Sequence, residues 1–483
     1  MINKLMNTGA GHTMATTDPA SEQQSAPTPE FEGFVKCPLF SEEAKITVDT
    51  EGLLIAARFD QISIHYGEIK AFALMDSQVE LQAAVGTVTF SRMGQSAEWL
   101  YQKLYIAYNK AVEKALLVEG SPGFTAEGDY IAEENGMTRQ GHGVIRLYED
   151  YLLLLPPDEN ARRIPLCFLT GMEKGDFSII LTLSTGERYT LRRLGRELGN
   201  LERRLTGNLR ALRERTMAFH KKLAPNLSSM QAAMAAKLMP LGRMADLKNL
   251  TSAAPPLAAA LEKAVRESRM AQTYPWLYDL CGGAGLAVGI LPPPKEPEDA
   301  QTAPGITPGM TSTQTELPTE QPAWETEPEE PKPILWVIAP DRENRIAAVE
   351  LALADGEAAA TYLYRVEGGW ESFSWQIGRA LEAAGFRREV ILLSDEKLHL
   401  PEHLSDAMLV KRTPALMLLR SRFAGRAIHS SINRWKADIE KCRAANLGGK
   451  PPMKSMKPEK FCRNCGAKLT PDVKFCGQCG FRF

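Results

Sequence analysis

Residues 46–54 read Ile-Thr-Val-Asp-Thr-Glu-Gly-Leu-Leu, and residues 145–153 read Ile-Arg-Leu-Tyr-Glu-Asp-Tyr-Leu-Leu. Each holds a short apolar run, an acidic turn and a Leu-Leu pair, the pattern of two strands joined by a tight turn. Working outward, Ile62–Tyr66 corresponds to Ile164–Phe168, and Val85–Phe90 adds a further strand to the first set. In the second set, Phe177–Leu183 and Arg188–Leu191 flank the hairpin turn Thr185-Gly186. Each set then switches to a helical period. The first helix carries Leu100, Leu104, Tyr108, Ala111, Val112 and Ala115 on one face; the second carries Leu194, Leu198, Leu201, Leu205, Leu209 and Leu212. A sheet needs a helix over its open face, so both stripes read as core. The unit is therefore a small sheet closed by one long helix, used twice at a spacing of about 100 residues.

This order, several strands followed by a C-terminal amphipathic helix, resembles a tandem of pleckstrin-homology-like domains. The resemblance places one module at 31–119 and a second at 128–222. It implies inositol phospholipid binding only where the first hairpin turn supplies lysines or arginines. The turns read here as the first are Asp49-Thr50-Glu51-Gly52 and Glu149-Asp150, whose acids would repel a phosphorylated headgroup. Phospholipid binding is therefore not expected, and a peptide- or protein-binding use is.

The remaining chain divides by composition. Residues 1–30 have no periodic apolar pattern and read as a disordered tail. Residues 223–291 are rich in Ala, Met and Leu and read as a helical segment. Residues 292–333 contain 11 prolines, seven threonines, nine acidic residues and two lysines, an extended linker carrying −7. An α+β domain is expected over 334–446, with strands at Leu335–Ile338 and Thr361–Val366 and a helix at Glu371–Ala384. Thr413 reads as the N-cap of a helix that begins with Pro414. A later helix carries Ile432, Trp435 and Ile439. A spacer at 447–458 leads to a last module at 459–483. The fold class is thus α+β and multidomain.

Eight cysteines are present, four of them within the last 22 residues: Cys462 and Cys465, then Cys476 and Cys479. Each Cys-x2-Cys pair forms a knuckle, and two knuckles complete a tetrahedral four-thiolate shell suited to Zn²⁺. This motif resembles the short zinc-ribbon family found at the ends of many bacterial proteins. The resemblance implies a closed structural site for one Zn²⁺, with those four cysteines as ligands and no open position for catalysis. A module this small cannot build an adequate core alone, so the metal should supply most of its folding energy.

Two other strings look chemical. His399-Leu400-Pro401-Glu402-His403 fits the His-x-x-Glu-His string of the inverzincin proteases, but Pro401 disfavours the helix that would put both histidines on one face. Gly282, Gly283, Gly285 and Gly289 lie in an apolar run without the spacing or the following Lys-Ser of a phosphate loop, and close helix packing is the expected reason for them. With no catalytic string, enzyme activity is not expected.

The 57 basic and 59 acidic residues leave −2, so attraction to nucleic acid must come from local patches. One is Arg188–Lys222, with 11 basic residues, which reads as a solvated helix face. Another is Met408–Arg443, with nine basic residues and an order, helix, Ala424-Gly425-Arg426 turn, helix, that loosely resembles a helix-turn-helix. No apolar run reaches the roughly 18 residues of a membrane span, and a cytoplasmic location is expected. These features together imply an adaptor that binds protein partners through tethered modules. The alternative is a nucleic-acid-binding protein that uses its basic C-terminal region and ribbon.

Overall fold

The computed structural model describes residues 30–293, 333–352, 360–429 and 431–447. The chain divides into two compact units, residues 1–68 with 72–108, and residues 69–71 with 109–483.

The first module is built on β1 (Glu30–Lys36), β2 (Ser41–Val48), β3 (Gly52–Ala56), β4 (Gln61–His65), β5 (Ile69–Met75), β6 (Gln78–Ala83) and β7 (Gly86–Ser91), followed by α1 (Ser96–Ala115). The strands form one antiparallel sheet in the order β4-β3-β2-β1-β7-β6-β5. Alternation decides the inner face: Phe31 and Val35 on β1, Ile46 and Val48 on β2, and Val88 and Phe90 on β7 are buried, and the residues between them are wetter. Leu100, Leu104 and Tyr108 of α1 are fully buried, as the helical stripe predicts.

The same topology recurs with β8 (Phe124–Glu134), β9 (Met137–Leu147), β10 (Tyr151–Leu155), β11 (Arg162–Pro165), β12 (Leu169–Lys174), β13 (Ser178–Leu183), β14 (Arg188–Arg192) and α2 (Leu198–Leu223), in the order β11-β10-β9-β8-β14-β13-β12. Residues 46–54 and 145–153 fall in β2–β3 and β9–β10, the same positions in two equivalent sheets. In strand count, order and C-terminal helix both modules resemble pleckstrin-homology-like domains. One reading changes. A strand precedes each stretch, so the first hairpin turns are residues 37–40 and Asn135-Gly136, and the acidic turns are the second hairpins. β1 is easily missed because Glu30, Glu32 and Lys36 interrupt its apolar positions.

Helices α3 (Ser229–Leu238), α4 (Leu247–Ala253), α5 (Pro255–Glu267) and α6 (Tyr274–Cys281) follow, with β15 (Ala245–Asp246) and β16 (Ala287–Leu291) between and after them. Beyond the acidic segment come β17 (Ile334–Pro340), β18 (Ile346–Ala352), β19 (Ala360–Arg365), α7 (Trp370–Ala383), α8 (Glu389–Leu392), α9 (Asp395–Leu398), α10 (Leu404–Arg412), α11 (Pro414–Arg422), β20 (Phe423–Ile428) and α12 (Ile432–Leu447). The sequence reading separates a helical segment at 223–291 from a domain at 334–446, but β16 pairs with β17 from Ala287↔Ile338 to Leu291↔Ile334. One six-stranded sheet, β15-β16-β17-β18-β19-β20, therefore joins them.

The expected strands and helices of this domain are β17, β19, α7, α11 and α12. Thr413 stands at the N-cap of α11 without a side-chain bond to the helix. The strand β18, Ile-Ala-Ala-Val-Glu-Leu-Ala, is buried at every position because both faces of the sheet are covered. Leu335, Val337 and Ala339 face a core with α3–α6 and with Trp435 and Ile439 of α12. Trp336 points the other way and meets Phe386, ring centroids 4.6 Å apart. The glycine run also resolves differently from helix packing. Gly282, Gly283 and Gly285 turn the chain out of α6 at positive φ, whereas Gly289 lies in β16 opposite Trp336. A Cβ on Gly289 would lie 2.1 Å from the Trp336 ring.

Within the second unit, α7 docks on the second module through buried polar groups. Gln376 Nε2 donates to the Thr185 carbonyl at 3.0 Å, and Arg379 donates to the Arg163 carbonyl. Glu382 lies 2.7 Å from Arg163 and 3.0 Å from Arg379, so each buried charge has a partner.

Candidate interaction groove

On the second module, α2 buries Leu198, Leu201, Leu205 and Leu212 and turns its arginines outward. That is the stripe expected from the leucine spacing. Along α2 runs a groove of about 600 Å³, lined by Gly199, Glu202, Arg203, Thr206, Gly207 and Arg210 of the helix and by Lys174, the last residue of β12. The helical lining positions recur every three to four residues, so they form one strip along the side of α2 that faces the strand. Among the described residues, β12 is the last strand of its sheet and pairs with β13, with no strand on its outer side. A register shift between Leu169 and Gly171 interrupts the ladder, and regular pairing then continues from Gly171 to Lys174.

The charges of this groove are unevenly partnered. Lys174 Nζ sits 2.6 Å from Glu202, an exposed pair of small net worth. Arg203 and Arg210 are exposed and make no ion pair among the described residues. By contrast, Arg192 and Arg193, at the end of β14, both lie within 4.0 Å of Asp129, whose carboxyl is held below its ordinary range mainly by its hydrogen bond with His142. Arg215 bridges Glu149 and Asp150, the acidic turn noted in the sequence. Burial pushes the Asp150 carboxyl up, with Arg215 opposing. That turn stays on the surface, with one arginine set against its two carboxylates.

The other sequence candidates are dispersed. His399 ends α9 and His403 precedes α10, separated by Leu400 in an extended conformation, so no helical face carries both. His403 lies 3.3 Å from Asp406. The stretch Ala424-Gly425-Arg426 is part of β20, paired with β19, which corrects the helix-turn-helix likeness. Much of the basic zone 408–443 is spent internally. Arg412 is buried, Arg420 meets Asp395 at 2.8 Å, Arg422 pairs with Glu367, and Arg443 lies 3.3 Å from Asp341.

A buried polar cluster that sequence reasoning missed sits under α12. Glu350 of β18 accepts from Thr273 Oγ1 at 2.7 Å and lies 3.2 Å from His429 Nε2. Thr361 Oγ1 is 3.0 Å from the same nitrogen and accepts from Trp435 Nε1 at 2.7 Å. Burial pushes Glu350 up to about 7, and burial followed by Arg388 lowers His429. Its members come from five separate stretches, so no local spacing could announce them. The groove had one unused signal, the glycines Gly199 and Gly207 in an otherwise strong helix sequence.

Cys462, Cys465, Cys476 and Cys479 lie outside the described residues. Residues 461–483 match the zinc-ribbon domain family, which implies zinc binding by this C-terminal part. No curated protein matches the chain. Among solved structures, the "Structure of the Spt16D Pob3N heterodimer" is similar at 12% identity and a TM-score of 0.15, covering 33% of this chain and 86% of that one. Among the described residues, no helix is long and apolar enough to cross a membrane.

Proposed function

We propose that the chain is a non-enzymatic adaptor that binds protein partners, with a zinc ribbon as a separate C-terminal module. The observation that carries this reading is the groove along α2 at the end of β12, where, among the described residues, Arg203 and Arg210 are exposed without an ion pair and β12 has no strand on its outer side. Such an edge offers backbone donors and acceptors to another chain. The nucleic-acid alternative is weakened by the internal pairing of Arg420, Arg422 and Arg443.

In the ribbon, the donor set of two Cys-x2-Cys knuckles fits one tetrahedral Zn²⁺, held by Cys462, Cys465, Cys476 and Cys479. All four positions are taken by thiolates, so the metal supplies folding energy to this module. Were residues 292–333 the flexible linker their composition predicts, 42 residues at roughly 5 to 6 Å × √n would reach about 32 to 39 Å where nothing else joins their two sides. Here β16–β17 pairing already joins the two sides. The free thiols Cys37, Cys167 and Cys281 suit a reducing cytosol. The second-hairpin acids of the lipid argument are no longer at the first turn, yet the true first turns, residues 37–40 and Asn135-Gly136, hold no lysine or arginine either. Phospholipid binding is therefore not part of this proposal.

The test is a native pulldown with the full chain and with a chain lacking residues 447–483, half of each treated with nuclease. Partners that survive nuclease support the adaptor reading. Partners lost on nuclease treatment make nucleic acid the ligand.

A further inference from the structure

A cavity of about 300 Å³ lies beside the β15–β16 end of the six-stranded sheet, apart from the α2 groove. The first turn of α7, the end of α3, β15 and the start of α4 supply most of its wall. That volume is at the small end for ligand pockets and suits a head group rather than an extended chain.

Two indoles line the cavity, and contacts outside it hold both. Trp370 opens α7 and Trp375 follows on the next turn, so at 3.6 residues per turn they stand about 140° apart, with Ser374 and Glu371 on the arc between them. Trp370 Nε1 donates to the Gly285 carbonyl at 3.1 Å. A Cβ on Gly285, which has φ +74°, would come within 2.6 Å of that nitrogen, so the ring seats there only over a glycine. Its one donor is thereby used, and it offers the cavity aromatic surface alone. The Arg243 guanidinium lies 5.0 Å from the centre of the Trp375 ring, anchored through Nη2 to the carbonyls of Lys237 and Leu238 at the end of α3. Both rings are therefore placed before any ligand arrives.

The charge of the lining is −2: it holds Asp246 and Glu371 and no basic residue. Among the described residues, neither carboxylate makes an ion pair. Asp246 Oδ1 accepts from the Asn249 amide as the N-cap of α4, and Glu371 stands in the first turn of α7. The cap uses one oxygen of Asp246 and leaves the other for a ligand. Arg243 does not neutralise these acids, because its contacts are with the α3 carbonyls and the Trp375 ring.

The remaining wall includes Leu238, Met244, Ala245 and Ala287 and is apolar. A primary ammonium is strongly hydrated and needs three acceptors, which such a wall does not supply. An N-methylated ammonium makes no such demand. Its methyl groups pack on indole and thioether, and its charge is balanced by the ring faces and the two carboxylates.

We propose that this cavity binds an N-methylated ammonium group, with Trp370 and Trp375 as aromatic walls and Asp246 and Glu371 as the counter-charge. Choline-like small molecules and the trimethylated lysine side chain of a protein carry the same head group, and the test separates them. The proposal does not rest on the adaptor reading.

The experiment titrates the full chain by calorimetry with choline and with N-acetyl-trimethyl-lysine amide. The controls are the uncharged tert-butyl analogue of choline and N-acetyl-lysine amide. Saturable binding of the methylated probes is expected, with each control weaker by roughly tenfold or more. Asp246→Asn with Glu371→Gln keeps the cap and the side-chain shapes while removing the charge, and should weaken both methylated probes by roughly tenfold at an unchanged unfolding midpoint. Trp370→Leu should do the same by removing one wall. In the wild-type chain, choline should slow amide hydrogen exchange in the first turns of α7, which locates the site without any variant. Tighter binding of the lysine derivative assigns the head group to a protein side chain; tighter binding of choline assigns it to a free small molecule. Equal affinity for the uncharged analogue, undiminished binding in the charge-neutral variant, or no binding of either methylated probe at millimolar concentration overturns the proposal.

Discussion

His429 Nε2 lies 3.2 Å from Glu350 Oε1, inside the sheet that carries α12. Thr273, Thr361 and Arg388 are the other polar groups acting on the pair. Glu350 is pushed up to about 7 by burial, so the folded state holds its proton more tightly than the unfolded chain. Its contribution favours folding below the ordinary carboxylate range, and that contribution is lost as pH rises from about 4.5 to about 7. His429 is shifted down, mainly by burial, and acts in the opposite sense: stability falls as pH drops below its ordinary value near 6.5.

Glu350→Gln removes the first effect and keeps the shape of the protonated acid. Relative to wild type, the variant should gain stability as pH is raised from 5 to 8. Urea midpoints at several pH values measure this; parallel curves for the two proteins would refute the assignment. His220, buried in α2 and pushed down to about 4, adds a further loss of stability in both proteins as pH falls from about 6.5 to about 4.

Gly289→Ala places a methyl group against the Trp336 ring, in a register fixed by β16–β17 pairing. Overpacking of this kind costs about 1–3 kcal/mol. Thermal or urea unfolding should show a loss in that range. A variant as stable as wild type would mean that the ring does not lie over the glycine.

Glu382→Ala leaves Arg163 and Arg379 buried at the α7 contact without their carboxylate. Breaking a buried pair from one side costs roughly 3–5 kcal/mol. A change under about 1 kcal/mol would place these arginines in water, as for an exposed pair.

For the ribbon, metal analysis of the purified chain should give one zinc per chain, released by a strong chelator. Cys476→Ser should abolish stoichiometric zinc while the far-ultraviolet spectrum of the remaining chain is retained. Two zinc ions per chain, or full retention in the variant, would contradict the four-cysteine site.

What the sequence makes legible follows the physics of local signals. The helical stripes of α1 and α2 and the paired runs of β2–β3 and β9–β10 are periodic over a few residues, and the structure has them where the periods fall. β18 is hidden because Ile-Ala-Ala-Val-Glu-Leu-Ala, buried on both faces, has no alternation. The pairing of β16 with β17 spans a long acidic segment, and strand partners that far apart leave no local trace. For the groove, Arg203 and Arg210 are visible as charges on a helix, but the edge of β12 beside them is a product of sheet order. The cysteines proposed as zinc ligands are the reverse case, since two Cys-x2-Cys pairs are read from their spacing alone.

The most direct test of the adaptor reading is quantitative mass spectrometry of nuclease-treated native pulldowns, comparing wild type with the Arg203→Glu, Arg210→Glu chain at equal, folded loading. The account predicts a defined set of proteins enriched by wild type and depleted by the double reversal. No protein retained after nuclease would contradict the adaptor reading, and equal recovery with both chains would contradict the placing of its contact on the α2 groove.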